Sequence, residues 1–290
     1  MRWDQNHRSS DVVDRRGQGG GAGLLGLIPL LIRSPLGLVG TLVVVGLYVG
    51  YRFFLGGGLG LSQDTAGGGQ QTKDESIAFV SFVLDNVQKS WERKYPGGKY
   101  QRAKLVVFTG STQSACGTGR ASTGPFYCPA DRNAYIDLSF YDALRKRLGA
   151  PGDFAQAYVI AHEIGHHVQN LMGTSEKVHS APKSQQTGAN GLSVRLELQA
   201  DCYAGVWGHD TSQRKLLEEG DLEEALTAAA AIGDDRLQKQ ATGTVTPETF
   251  SHGTSAQRVK WFQRGYKTGD PAACDTFSVE APSAGGRVPE

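Results

Sequence analysis

What the chain lacks narrows it first. Its 290 residues contain four cysteines, Cys116, Cys128, Cys202 and Cys274, with no C-x-x-C pair, so a structural zinc ribbon is not expected. Neither sign of charge prevails: 30 Lys+Arg face 29 Asp+Glu, a formal net charge of +1. That balance makes no electrostatic case for nucleic acid, and no base-reading signature is present, so no nucleic-acid partner is expected. No internal repeat is visible either. Glycine, by contrast, is plentiful, and much of it lies in three clusters, residues 17–26, 56–60 and 67–69. These flank the first sixty residues and read as flexible spacer.

Residues 1–35 open polar, arginine-containing and glycine-rich, and are expected to be a disordered cytoplasmic tail. Residues 36–55 form the one long apolar run, with Arg52 near its end and Tyr48, Tyr51, Phe53 and Phe54 clustered there. About twenty residues is the length of a bilayer-spanning helix, and aromatics favour the interface. Arg2, Arg8, Arg15, Arg16 and Arg33 precede the run, so the positive-inside rule puts the N-terminus in the cytoplasm and the rest outside. A cleaved signal peptide is the competing reading, but its apolar region would be too long and no A-x-A site follows. Residues 56–73 read as a Gly-rich linker, 74–278 as one domain and 279–290 as a loose tail.

Within the domain, Ile77, Val80, Val83-Leu84, Val87 and Trp91 recur at helical spacing up to Pro96. Lys104–Phe108, Phe126–Cys128 and Ala134–Leu138 suit short strands. Thr109–Thr123 and Thr174–Gly191 are expected to be loops. Helices are expected over Phe140–Leu148, Asp153–Met172, Val194–Trp207, Asp221–Ile232 and Ser255–Tyr266. Asp153 is the expected N-cap of the second of these, and Gly173 its terminator. The fold class is α+β: a helix-rich zincin-like domain with a small β-sheet, preceded by one transmembrane helix.

The chemistry centres on His162-Glu163-Ile-Gly-His166. Two histidines four apart on a helix share a face and can bind one Zn²⁺, and the glutamate between them can act as general base. A hydrolytic site needs a third protein ligand and an open position. The all-histidine solution H-E-x-x-H-x-x-G-x-x-H is excluded, because Gln169 replaces its glycine and Met172 its last histidine. A glutamate from a second helix is the remaining common solution, and Glu197 is the candidate. Asp201, four residues on among apolar neighbours, would accept the spare N–H of a ligand histidine. The bland alternative is that the two acids decorate an exposed helix. For stabilising the carbonyl oxygen, His252 in a Gly/Ser loop is the first choice, ahead of Tyr158 and Tyr203. His167 leaves the ligand face and is assigned no role in binding.

Several runs resemble the putative neutral zinc metallopeptidase family. They are Gly124–Asp131, Gly152–Asn170, Leu196–Gly205, Ile232–Gln238 and His252–Arg258, with Met1-Arg-Trp3 and Asp14–Gly17 at the start. The resemblance spans nearly the whole chain. It implies a membrane-anchored bacterial protein of gluzincin type, with zinc on His162, His166 and Glu197 and Glu163 as base. The expectation is therefore a single-pass protein of the bacterial inner membrane whose extracytoplasmic domain hydrolyses peptide bonds with a zinc-activated water. A non-catalytic, membrane-tethered zinc-binding module, or a hydrolase of a non-peptide amide such as a cell-wall link, is the alternative. Four cysteines in an exported protein allow three pairings; Cys116–Cys128 would close a short loop and Cys202–Cys274 would tie the tail to a central helix. Four reduced thiols are the other possibility.

Overall fold

A computed structural model describes residues 1–17 and 68–278, with side chains from residue 75 in the second segment. The second segment opens with helix α1 (Gly68–Lys94), whose Val80, Val83, Leu84, Val87 and Trp91 form one fully buried stripe. Strands β2 (Lys104–Phe108) and β6 (Asn133–Asp137) run parallel at the centre of a four-stranded sheet whose edges are β1 (Val12–Asp14) and β5 (Phe126–Cys128), in the order β1-β2-β6-β5. Both central strands are near-continuous buried runs, as strands covered on both faces must be. Strand β5 (Phe126–Cys128) pairs antiparallel with β6 and forms one edge.

Helix α2 (Ser139–Lys146) leads to α3 (Asp153–Leu171), which carries the H-E-x-x-H motif and is buried on nearly every side. Short helices α4 (Thr174–Ser180) and α5 (Lys183–Gln186) follow, then α6 (Leu192–Gln213), α7 (Asp221–Ala231), α8 (Asp234–Thr242) and α9 (Ser255–Thr268). Helix α9 starts at a capping box between Thr254 and Gln257. Helices α3 and α6 touch backbone to backbone at Gly165, where a Cβ would lie 3.0 Å from the Ala200 carbonyl oxygen. The glycine inside the motif therefore sets how close the second helix comes.

Several expectations need correction. The domain is a helix-rich α+β unit, but the predicted transmembrane helix is not supported: among the described residues no helix is long and apolar enough to cross a membrane. The longest, α1, carries Asp85, Lys89, Glu92, Arg93 and Lys94. The segment expected to span, residues 36–55, lies outside the described residues, as do most of the linker and the C-terminal tail. Residues 1–17, expected in a disordered tail, pack onto the domain. Strand β1 (Val12–Asp14) pairs parallel with β2, Trp3 meets Phe79 edge to face, and the Met1 ammonium is buried against Asp153 and Asp221. Three residues are too short a strand to show a period, so the polar composition concealed it.

Asp153 is the first residue of α3 rather than its cap; Gly152 occupies that position, and Glu224 of α7 accepts the Phe154 N–H. The presumed loop after β2 forms a hairpin, β3 (Ser111–Ser114) with β4 (Gly117–Arg120). Thr174–Gly191 contains the two short helices instead of a continuous loop. Both suggested disulfides are present, Cys116–Cys128 and Cys202–Cys274.

Candidate metal centre

One helical turn on α3 and one position on α6 bring two imidazoles and one carboxylate together. His162 Nε2 lies 3.1 Å from His166 Nε2 and 3.2 Å from Glu197 Oε2, and His166 Nε2 lies 3.4 Å from Glu197 Oε1. Tetrahedral coordination at zinc's usual bond lengths of about 2.0–2.2 Å needs ligand atoms about 3.3–3.5 Å apart, the edge of the tetrahedron. The observed triangle fits that edge to within a few tenths of an ångström. The donor set, two imidazoles and one carboxylate, is also one that zinc accepts in hydrolytic sites. The residues present therefore fit the metal.

Each ring is held from behind. His162 Nδ1 lies 2.9 Å from Asp201 Oδ1, and His166 Nδ1 lies 2.9 Å from the Gln169 Oε1 acceptor. Both partners accept, so with a metal bound each ring would keep its proton on Nδ1 and offer Nε2 to the centre. Asp201 is wholly buried and is neutralised by Arg258, whose Nε and Nη2 reach its two oxygens at 2.8 and 2.9 Å. Burial opposes charge on Asp201, but Arg258 and then His162 outweigh it and hold its pKa below the usual carboxylate value. Burial likewise opposes charge on His162, yet Asp201 and Glu197 push its pKa up to about 10 while no metal competes. Metal binding then displaces a proton from that ring. Glu197 is held well below the ordinary range; burial works against its charge, and the two histidines more than offset that.

Glu163 lines the cleft that opens onto this triangle and is almost enclosed there. Its pKa is raised, mainly because burial disfavours the carboxylate. The cleft measures about 1010 Å³. Phe126, Tyr127 and Pro129, in and just after edge strand β5, line one wall; Phe140, Leu148, Ile232 and Leu237 form an apolar bay.

His252 lines the same cleft, with its side chain half exposed. Its Nδ1 lies 3.1 Å from Asp234 Oδ1, while Asp234 Oδ2 accepts the backbone N–H groups of Ser251, His252 and Gly253. That hydrogen bond to Asp234 is the main reason the His252 pKa is raised, against the effect of burial. The two rival candidates are otherwise engaged. The Tyr158 hydroxyl donates to Asp201, and Tyr203 points at Met172 Sδ beside Trp91. His167 is buried between Tyr127 and the Gln101 carbonyl, a packing role.

Of the residues singled out in the sequence, His162, Glu163, His166, Glu197 and His252 line one cleft, and Asp201 lies wholly buried behind His162. Sequence reasoning missed Gln169, Asp234 and Arg258. One signal existed for the last: Arg258 shares a helical stripe with Phe262 and Gly265, so an arginine stands where the pattern demands a core residue.

Residues 1–277 match the family described as "Putative neutral zinc metallopeptidase". The "Uncharacterized protein YpfJ" of Escherichia coli (strain K12) is 49% identical over 287 residues, which is 96% of this chain and 99% of the relative. The "Uncharacterized protein Rv2575" of Mycobacterium tuberculosis (strain ATCC 25618 / H37Rv) is 46% identical over 206 residues, 67% of this chain and 68% of that protein. No solved structure matches the chain.

Proposed function

Since the chain belongs to the putative neutral zinc metallopeptidase family, whose cofactor is zinc, we propose that it is a metalloendopeptidase using His162, His166 and Glu197 as ligands and Glu163 as general base. The observation that carries this reading is the donor triangle, two imidazole nitrogens and one carboxylate from two helices, spaced close to the tetrahedral edge length and facing a cleft. Held by His162, His166 and Glu197, zinc would lower the pKa of a water toward about 7 and supply a Lewis acid for the scissile carbonyl. Glu163, with its raised pKa, takes the proton from the attacking water and passes it to the leaving amine. His252, steadied by Asp234, donates to the carbonyl oxygen as negative charge develops. An extended peptide pairs with β5, the edge strand of the sheet, whose Phe126 and Tyr127 line the cleft.

The two disulfides support an oxidising, extracytoplasmic compartment for the domain. Residues 1–17 belong in the same compartment, because β1 is part of the domain's sheet. Zinc content and peptide cleavage in His162→Ala and Glu197→Ala test the ligand set. Both variants are expected to lose metal and activity together; full zinc in Glu197→Ala would remove that residue from the set.

A further inference from the structure

We infer that Arg258 is a positioning residue for the metal site: it holds the Asp201 carboxylate, and through it the His162 ring, in the orientation that presents Nε2 to the donor triangle. The inference rests on the ligand reading above. Arg258 is only 2% exposed, although it stands at the inner end of the cleft. Burying a guanidinium is costly unless its donors are engaged, and here four of the five are. Nε and Nη2 grip Asp201, Nη2 also reaches the Tyr158 hydroxyl at 3.3 Å, and Nη1 reaches the Ile232 carbonyl at 3.3 Å.

Asp201 is equally saturated. Oδ1 receives the Tyr158 hydroxyl, Arg258 Nη2 and His162 Nδ1, while Oδ2 receives Arg258 Nε. Four donors meet the roughly four lone-pair sites of one carboxylate. A carboxylate so occupied cannot rotate without breaking an ionic hydrogen bond in a dry interior. Arg258 Nη2 also lies 3.4 Å from His162 Nδ1, too far to displace the 2.9 Å contact with Asp201. Asp201 at Nδ1 therefore sets the ring's tilt and leaves Nε2 as the nitrogen available to a metal.

The height of Arg258 is set by the backbone. Helix α9 presses on α6 so closely that a Cβ on Gly265 would lie 1.9 Å from the Cys202 carbonyl oxygen. Cys202, the neighbour of Asp201, is tied by its disulfide to Cys274 beyond the end of α9. A bidentate guanidinium, rather than a point charge, is what matches Asp201 across this contact.

The test uses the full chain with Arg258→Lys, which keeps the charge but loses the fork, and Arg258→Met with and without guanidinium in the medium. Readouts are the zinc dissociation constant by chelator competition, the ¹⁵N shifts of His162 at saturating zinc, and kcat and KM separately. Loss of such outer hydrogen-bond support costs roughly 10–100-fold in metal affinity. The expected result is a weakening of that order in Arg258→Lys with circular dichroism unchanged, the His162 Nδ1 shift moving away from its wild-type, Asp201-bonded value, and partial recovery of Arg258→Met by guanidinium. Wild-type zinc affinity and wild-type His162 shifts in Arg258→Lys overturn the inference, whether the variant then shows raised KM, lowered melting temperature or no change. His162→Ala run alongside separates the two levels. If it keeps zinc, the ligand reading fails; if it loses zinc while Arg258→Lys does not, only the role of Arg258 fails.

Discussion

Two aspartate–histidine pairs face one cleft, and their difference assigns their work. His162–Asp201 lies in the core: Asp201 is wholly buried, saturated by side chains from two other helices, and its histidine ring has a single orientation. His252–Asp234 lies at the rim. Its histidine is half exposed on a loop, and its aspartate is held by the backbone of that same loop. The first pair can hold a metal in a fixed place but cannot follow a substrate. The second can move with the loop and meet charge that appears only during reaction. Burial sorts the same two residue types into ligand support and transition-state support.

Breaking the inner pair produces the largest effect. Asp201→Asn leaves Arg258 buried opposite an amide, a loss of about 3–5 kcal/mol for a buried pair deprived of one partner. Zinc affinity falls in parallel, by roughly 10–100-fold. Chemical denaturation and chelator competition measure the two. Breaking the outer pair leaves the metal alone: His252→Ala is expected to keep full zinc and only a slightly lowered melting temperature while kcat falls by about 10²–10³. Equal loss of zinc in both variants would erase the distinction between the pairs.

The pH response sharpens it further. Asp234 raises the His252 pKa, so His252 stays protonated above its ordinary value of 6.5. The stabilisation from that ion pair is complete below about 6.5 and is lost as pH rises through the raised value. Asp234→Asn removes the partner, lowers the pKa and moves the alkaline loss of activity to lower pH. A pH–kcat/KM profile and a His252 NMR titration check this; an unmoved limb would detach His252 from the reaction. The smallest effect is expected from the remote tie, because Cys202→Ser/Cys274→Ser removes a constraint on the unfolded chain worth about 2–4 kcal/mol. Its melting temperature should fall while kcat per folded molecule stays close to wild type.

How legible all this was in the sequence follows the same divide between local and distant. His162, Glu163 and His166 announce themselves because four residues make one helical turn. Glu197 and Asp201 were legible for the same reason, once a third ligand was required. Strands β2, β5 and β6 showed as short apolar runs. Arg258 was not legible as a partner, since only the glycine-mediated crossing of α9 over α6 brings it to Asp201. Asp234 was hidden because its work lies in loop N–H groups seventeen to nineteen residues away. The packed N-terminus was misjudged because its polar residues outnumber the few anchors, Met1, Trp3 and Val12-Val13, that the domain uses.

The central claim is that the triangle on α3 and α6 holds zinc for Glu163 to work beside. Zinc stoichiometry and peptide-bond cleavage in purified Glu163→Gln, against the wild-type chain, test it most directly. The account predicts one zinc per chain in both and a fall in cleavage of about 10²–10⁴ in the variant. Unchanged cleavage in Glu163→Gln, or a wild-type chain that binds no zinc at this site, would contradict it.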